Sequence, residues 1–293
     1  MSEQARIAVI LTCFNRVQKT LFCLSQVFDQ ARKHALDVTV FLVDDGSTDG
    51  TGAAVESDFP AVNVIYGDGS LFWNRGMHKA FGAALEDSRE FEYYLWLNDD
   101  TFLYENCIAE LLAAHTELSA RGKEKSIIIP STRDPKTDAF SYGGYRKNPS
   151  INKISMSLVG ETAQLEPCDT FCGNCVLIPA QVAAMVGNIN YAYQHRWGDT
   201  DYGLRALEQG IQTWIAPGYL ADCESNPLAD RWRDSSLGFS ERIKEVNSLK
   251  GLGKNDWFQY TRRHAGWLWP LIWISPYLRI ALSAVTGKPI HEK

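Results

Sequence analysis

Residues 93–103 read YYLWLNDDTFL, and the fold class turns on how that stretch is taken. From Tyr93 to Leu97 every side chain is aromatic or aliphatic, and Asn98-Asp99-Asp100 then ends the run. A short apolar run bounded by polar residues is the pattern of a strand covered on both faces, as in a parallel sheet. In open α/β sheets, ligands bind in the crevice beyond the carboxyl ends of such strands. Two neighbouring carboxylates there are unfavourable unless a positive group lies on them, and a divalent cation carrying a diphosphate meets that need. The alternative is an ordinary strand-to-helix turn, with Asp100 or Thr101 capping a helix from about Tyr104. The stretch alone leaves both readings open.

Upstream the same unit recurs. Arg6 to Thr12, RIAVILT, is a β-branched strand that breaks into Cys13-Phe14-Asn15-Arg16 before a helical pattern reaching about Lys33. Val38 to Val43 is a second strand; Asp44 and Asp45 follow it, and Ser47 or Thr48 can cap the next helix. Val62 to Tyr66 is a third, followed by GDGSLFWNRGM, in which Gly67 and Gly69 permit a tight turn. From about Asn74, the residues Met77, Phe81 and Leu85 recur at helical spacing. Repeated strand-helix units mean a parallel α/β sheet, and right-handed crossovers bring the strand ends to one rim. Thr12, Asp44, Asp45, Arg75, Asp99 and Asp100 are therefore expected to converge on a nucleotide site.

Composition sets bounds on this reading. The 293 residues are 45% hydrophobic, enough for a sizeable core, and the net charge of −6 has no long basic block, which argues against nucleic acid as a partner. MSEQARIAVILTC has too short an apolar run for a signal peptide, so a cytosolic protein is expected. Seven scattered cysteines fit free thiols in a reducing compartment. Cys168, Cys172 and Cys175 lack a fourth zinc ligand at finger-like spacing, and the alternation in CDTFCGNCVLIP suits buried cysteines on a strand.

Beyond Ser126 the pattern changes. SIIIP reads as a fifth strand, Asp138 to Val159 as an irregular hairpin region, VLIP as a further strand and Gln212 to Ala216 as the last. Between them, Gly198-Asp199-Thr200-Asp201 opens a helical segment in which Asp201 and Arg205 are spaced to pair. Asp199 is either an N-cap or a carboxylate free to act as a base. Asn226 to Asp256 is polar, and Arg262-Arg263-His264 precedes AGWLWPLIWISPYLRIAL. That apolar stretch reads as too short and too broken by Pro270, Pro276 and Arg279 to span a bilayer. Its three tryptophans beside a basic flank suit a membrane surface, and a helix pair packing on the domain or on a second subunit is the other reading.

TCFNR, VDDGSTDGT, GDGSLFWNRGM, LNDDT and GDTDYGLRALEQG, each at or after a strand end and in this order, resemble glycosyltransferase family 2, in particular its bacterial polysaccharide members. The resemblance covers about Arg6 to Asn226. It implies a GT-A fold, a Rossmann-like, mostly parallel sheet flanked by helices. The expected division is a catalytic domain over 1–225, with a nucleotide-sugar half (1–125) and an acceptor half (126–225), then a mainly helical extension over 226–293. The activity it implies is inverting transfer of a sugar from a UDP- or dTDP-sugar, dTDP-rhamnose being one such donor, to a hydroxyl of a lipid-linked glycan in O-antigen or capsule synthesis. In that family's arrangement Thr12, Asn15 and Arg16 would lie by the donor base, and Asp44 would bind base or ribose. Asp99 would sit near the ribose and metal shell, and Asp100 would coordinate Mn2+ or Mg2+. Asp199 would be the base, supported by Asp201 and Arg205.

Two departures stand out. Gly198 replaces a common Glu before the base, and where many members carry a late metal-binding His this chain offers Ala221-Asp222-Cys223-Glu224, with Asp222 the substitute candidate. Trp73 either shapes the sugar or diphosphate pocket or is core. The departures keep a second function in view, a nucleotide-sugar-binding scaffold without catalysis that partners other transferases.

Overall fold

The computed structural model describes residues 4–225 and 231–290. The first half alternates β1 (Arg6–Cys13), α1 (Val17–Lys33), β2 (Asp37–Asp44), α2 (Thr51–Asp58), β3 (Asn63–Tyr66), α3 (Phe72–Leu85) and β4 (Tyr93–Leu97). The four strands lie side by side and parallel, with Ile7 opposite both Tyr93 and Val38, and Phe41 opposite Asn63. β4 is apolar throughout because both its faces are covered. Leu95 and Leu97 enter one core with Leu11, Cys23 and Leu111; Tyr94 and Trp96 enter a second with Phe81, Phe171 and Tyr202. The Trp96 ring meets Tyr202 edge-on at 4.7 Å and Phe81 at 5.5 Å. Burying a side chain of this kind contributes roughly 1.5–3 kcal/mol, so β4 anchors the sheet's centre.

The second half adds β5 (Thr101–Leu103), α4 (Cys107–Ala120), β6 (Ser126–Arg133), β7 (Phe140–Tyr142), β8 (Gly144–Lys147), β9 (Met156–Val159), β10 (Glu166–Cys168), β11 (Thr170–Phe171), β12 (Cys175–Pro179), α5 (Ala180–Val186), α6 (Gly198–Glu208) and β13 (Gln212–Cys223). The main sheet runs β10-β13-β6-β12-β4-β1-β2-β3, and β11, β8 and β9 form a small second sheet. β12 is antiparallel to β4, whereas β13 is parallel to β6. β13 is longer than expected because its far end, Ala221 to Cys223, pairs with β5.

That pairing corrects one expectation. Asp100 and Thr101 do not cap a helix: Thr101 begins β5, and the next helix starts at Cys107 with Asn106 as its cap position. The Asp pair therefore occupies a tight turn between two strands, where the Thr101 N–H donates to the Asn98 carbonyl at 3.1 Å. Ser47 and Thr48 likewise do not cap α2; Gly50, in the left-handed region at φ 86°, holds that position, and Asp49 accepts from the Thr51 N–H at 3.0 Å.

Three helices end the chain: α7 (Phe239–Asn247), α8 (Lys254–His264) and α9 (Trp269–Thr286). Their core joins Val246, Trp257, Tyr260 and Ile280 to Tyr193 and Leu204 of the preceding part. The expected division after Ser225 abuts residues 226–230, which lie outside the described residues. The expectation that prolines break the tail is also corrected. Pro270 sits in the first turn of α9, where its missing N–H is no loss, and Pro276 lies inside the helix. Pro276 leaves the Ile272 carbonyl without its helical donor, and the Ser275 hydroxyl supplies one at 2.9 Å. With a 3-10 turn over Gly266–Leu268, the segment Gly266–Thr286 is 21 residues, long and apolar enough to cross a membrane by length and composition alone.

Candidate functional site

Parallel strands deliver their following loops to one rim, and the turn after β4 lies at its middle. Asp99 is almost fully buried; its Oδ2 accepts from the Thr20 hydroxyl at 3.1 Å and its Oδ1 from the Arg16 guanidinium at 2.9 Å. The same Arg16 nitrogen donates to Asp100 Oδ2 at 2.7 Å. Arg16, from the loop after β1, thus bridges both carboxylates. Burial pushes Asp99 up to about 6, partly offset by Arg16 and reinforced by Asp100. Asp100 remains partly accessible at the rim.

The loops after β1, β2 and β3 are stitched together by other residues singled out in the sequence. Asn15 adopts φ 51°, a left-handed conformation Asn tolerates, and its Oδ1 accepts from the Thr48 N–H at 2.7 Å and the Asp49 N–H at 3.3 Å. The loops after β1 and β2 are thereby joined. Asp44 accepts from the Ser47 N–H at 2.9 Å, and buried Asp45 uses one oxygen for the Gly69 N–H at 3.0 Å and the other for the Phe72 N–H at 2.8 Å. Thr12 packs so closely on α3 that a Cβ at Gly76 would fall 2.2 Å from its hydroxyl.

The opposite wall is built by α6 and the turn before β12. Asp199 accepts from the Gly173 N–H at 2.8 Å through one oxygen and from the Thr200 N–H at 2.7 Å through the other. Burial raises its pKa above the ordinary carboxylate value, with those N–H donors pulling the other way. Next to Gly173, Asn174 accepts from the Asn98 N–H at 2.9 Å, so the Asp199 wall is bonded directly to the Asn98-Asp99-Asp100 turn. Trp73 closes the connection, its indole N–H donating to Asn98 Oδ1 at 2.6 Å. A Cβ at Gly173 would lie 2.7 Å from the Trp73 ring and 3.0 Å from the Asp199 Cβ, so glycine opens the space both occupy. Two bulky residues near this point hold positive φ, Phe72 at 55° and Trp197 at 73°, a strained conformation that a structure keeps where it fixes a site.

Not every residue singled out in the sequence gathers here. Arg75 turns to the loop after α5, its guanidinium 4.9 Å over the Tyr191 ring and bonded to the Tyr191 carbonyl at 3.4 Å, rather than to the carboxylates of the turn after β4. Asp222 is corrected as a companion of Asp100. It accepts from the Tyr104 hydroxyl at 2.6 Å and pairs with Arg133 at 3.4 Å. Side chains alternate along a strand, and it is neighbouring Cys223 whose thiol feels Asp100. Among the described residues, no three His, Cys, Asp or Glu side chains form a metal-binding group.

Gly198, the departure before Asp199, has a local cause. A Cβ there would stand 1.6 Å from Asn74 Oδ1, and buried Asn74 is tied down by its amide, which donates to the Asn190 and Tyr193 carbonyls at 2.8 Å each. Sequence reasoning missed Asn98, Gly173 and Asn174, whose roles are backbone or hydrogen-bond contacts between distant segments. It also missed His195 and Arg196, which precede Asp199; burial, reinforced by neighbouring Arg196, holds the His195 imidazole below its ordinary value. The only signal in the chain was the density of polar residues in QHRWGDTD.

Comparison with known proteins agrees with this architecture. The profile of Glycosyl transferase family 2 matches residues 8–178, which ends before α6 and Asp199. Among solved structures, the mannosyltransferase PcManGT from Pyrobaculum calidifontis, in complex with GDP-Man and Mn2+, aligns with a TM-score of 0.52 and 15% identity over 98% of this chain and 77% of its own. GalNAc-T7 with UDP, GalNAc and Mn2+ aligns with a TM-score of 0.56 and 11% identity over 95% of this chain and 55% of that one. This chain therefore spans about half the length of the latter. No curated protein sequence matches. At such identities the structural likeness carries the GT-A fold, and the profile, which spans more than half of the chain, carries the family: the chain belongs to glycosyltransferase family 2.

Proposed function

We propose that the chain transfers a sugar, with inversion, from a nucleotide-diphosphate donor to a hydroxyl of a lipid-linked glycan in surface polysaccharide synthesis. The observation that carries this reading is the bonded link between Asp199 and the Asp99-Asp100 turn through Gly173 and Asn174. It ties a segment bearing one carboxylate to a turn bearing two, and this supports a reading as direct displacement. Asp199 takes the acceptor's hydroxyl proton; the alkoxide oxygen bonds to the anomeric carbon as the bond to the phosphate oxygen breaks, and the nucleoside diphosphate departs. Burial makes Asp199 a stronger proton acceptor than a solvated Asp, and its two N–H donors hold its orientation.

The leaving group needs positive charge. One or two carboxylates together with substrate phosphates suffice for Mg2+ or Mn2+, and Asp100, with Asp99 behind it, is such a donor set. The residues fit: Asp100 is partly accessible and would hold the cation on release from Arg16. A divalent cation there would neutralise the diphosphate as it leaves. The two similar structures, one in complex with GDP-Man and Mn2+ and the other with UDP, GalNAc and Mn2+, support a nucleoside-diphosphate donor and divalent cation as a class. UDP- and dTDP-sugars, including dTDP-rhamnose, remain the proposed donors on the resemblance of the donor loops. Thermal shift with UDP, dTDP and GDP, each with and without Mn2+, tests this: a nucleotide binding only the folded protein raises Tm, and the rise should need Mn2+. No shift with any of the three would overturn the donor-site reading.

We further propose 1–225 as the catalytic part and 226–293 as an extension working at the inner face of the cytoplasmic membrane. On α9 and the turn before it, Trp267, Leu271, Leu278, Leu282 and Val285 are exposed along one side, with Trp267 at 79% and Val285 at 86%. Exposed Arg262 and Arg263 lie just before them. An apolar stripe with a tryptophan and flanking cations matches the chemistry of an anionic lipid surface. Packing against a second subunit is the competing use of the same stripe.

A scaffold without catalysis has one observation in its favour, the occupation of both turn carboxylates by Arg16. Slow donor hydrolysis by the purified protein with Mn2+ and a panel of nucleotide sugars separates the two, since a scaffold would give none.

A further inference from the structure

Asp256, in the first turn of α8, is 1% exposed. Its partners are three consecutive backbone N–H groups of the loop that leads to Asp199: Gln194 at 2.9 Å on one oxygen, and His195 at 2.9 Å and Arg196 at 3.0 Å on the other. The next residue, Trp197, is held in its positive-φ conformation by the same helix. Its ring stacks on Tyr260 at 4.6 Å and lies 5.3 Å from Trp257, and its indole N–H donates to the Leu252 carbonyl at 3.0 Å. Past Asp199 the helix acts again. Asp201, fully buried, receives the His264 Nε2 at 2.8 Å and the Arg263 guanidinium at 3.3 Å from the last turn of α8, besides Arg205 at 2.8 Å and Tyr193 at 3.1 Å. One helix thus grips both the residues before Asp199 and the residue two beyond it.

We propose that α8 is a positioning element for the candidate base: Asp256 fixes the 194–197 loop and His264 fixes the start of α6, so that the Asp199 carboxylate is aimed at the acceptor hydroxyl. This rests on the assignment of Asp199 above. Asp45, Asn15 and Arg16 are bonded to Gly69, Thr48 and Asp99, not to the residues Asp256 grips; the gripped loop touches that side through Gln194, which accepts from the Asn74 N–H at 3.2 Å and donates to the Ser70 carbonyl at 3.4 Å. Turnover and nucleotide binding should therefore respond differently.

The test compares the full chain with Asp256→Ala, Asp256→Asn, His264→Leu, His264→Gln and Asp199→Asn. It reads amide hydrogen exchange over 194–202, the Tm shift on UDP, dTDP or GDP with Mn2+, and kcat with whichever nucleotide sugar the wild type consumes. Asp256→Ala is expected to speed exchange at Gln194, His195 and Arg196 and to lower kcat roughly ten- to hundredfold, the scale of a small misplacement of a reacting group, with the nucleotide-induced shift retained. Asp256→Asn, which keeps the shape but offers N–H against N–H, should act in the same direction should the alanine variant fail to fold. His264→Leu should lower kcat, and His264→Gln, whose amide can still donate to Asp201, should recover it; a merely structural histidine would not give that rescue. Unchanged exchange over 194–202 in Asp256→Ala or Asp256→Asn overturns the proposal. So does full kcat in these variants and in His264→Leu while Asp199→Asn is inactive. Full kcat in Asp199→Asn instead removes the assignment of the base, which is a separate failure.

Discussion

Gly198 and Asn74 illustrate how tightly single residues are matched around the site. The Asn74 amide is committed to two carbonyls, so it cannot step away from a Cβ at position 198. Gly198→Ala should lower stability by about 3 kcal/mol, the upper end for overpacking, and denaturant unfolding measures it; a change within experimental error would mean the loop simply shifts. Asp199 gives a second residue-scale prediction. Its pKa in the folded protein lies above the unfolded value, so its contribution favours folding below about pH 4 and is lost as pH rises through the folded value. The Tm of the ligand-free wild type should therefore fall relative to Asp199→Asn as pH climbs through that window. By the same shift, the acidic limb of the kcat/KM profile should lie above the ordinary carboxylate value, and a limb at or below 3.8 would contradict the burial assigned to this group.

At the scale of elements, loops are held by buried carboxylates more than by helix caps. Asp45 serves two backbone N–H groups of the turn entering α3, one on each oxygen. Asp45→Ala should lower stability by roughly 1–3 kcal/mol through those orphaned donors and weaken nucleotide binding, whereas Asp45→Asn, keeping one acceptor, should fall between. The parallel half of the sheet was legible in the sequence because β4, β1 and β2 are buried on both faces and so read as continuous apolar runs. The turn after β4 was only half legible. Nothing local distinguishes a helix cap at Asp100 from a turn into a strand; β5 exists because the distant end of β13 pairs with it. Asp222 was misplaced for a related reason, since strand alternation turns it to Tyr104 and Arg133. Arg75 was drawn away by the Tyr191 ring, a contact between segments 116 residues apart.

At the scale of the molecule, the helical end of the chain is tied by α8 to the segments on either side of Asp199 and presents the apolar side of α9 outward. Pro270, Pro276 and Arg279 had argued against a stretch long enough to span a bilayer; a hydroxyl one residue before Pro276 satisfies the carbonyl that proline frees, and the helix runs on. Co-sedimentation with phosphatidylglycerol vesicles should capture the wild type, and Leu271→Glu with Leu278→Glu should abolish capture while leaving the nucleotide-induced Tm shift intact. Retained capture by the double variant would assign the stripe to another use, and size-exclusion behaviour of the two proteins would then report on a second subunit. The resemblance implied a role for Asp199 beside the Asp99-Asp100 turn, but the bonds between the two segments, through Gly173-Asn174 and the Trp73 indole, left no signal in the sequence.

The most direct test of the central claim is sugar transfer by Asp199→Asn beside the wild type, with nucleotide affinity measured in the presence of Mn2+ on the same samples. Loss of transfer with nucleotide affinity unchanged is the predicted result. Full transfer by the variant would contradict the account.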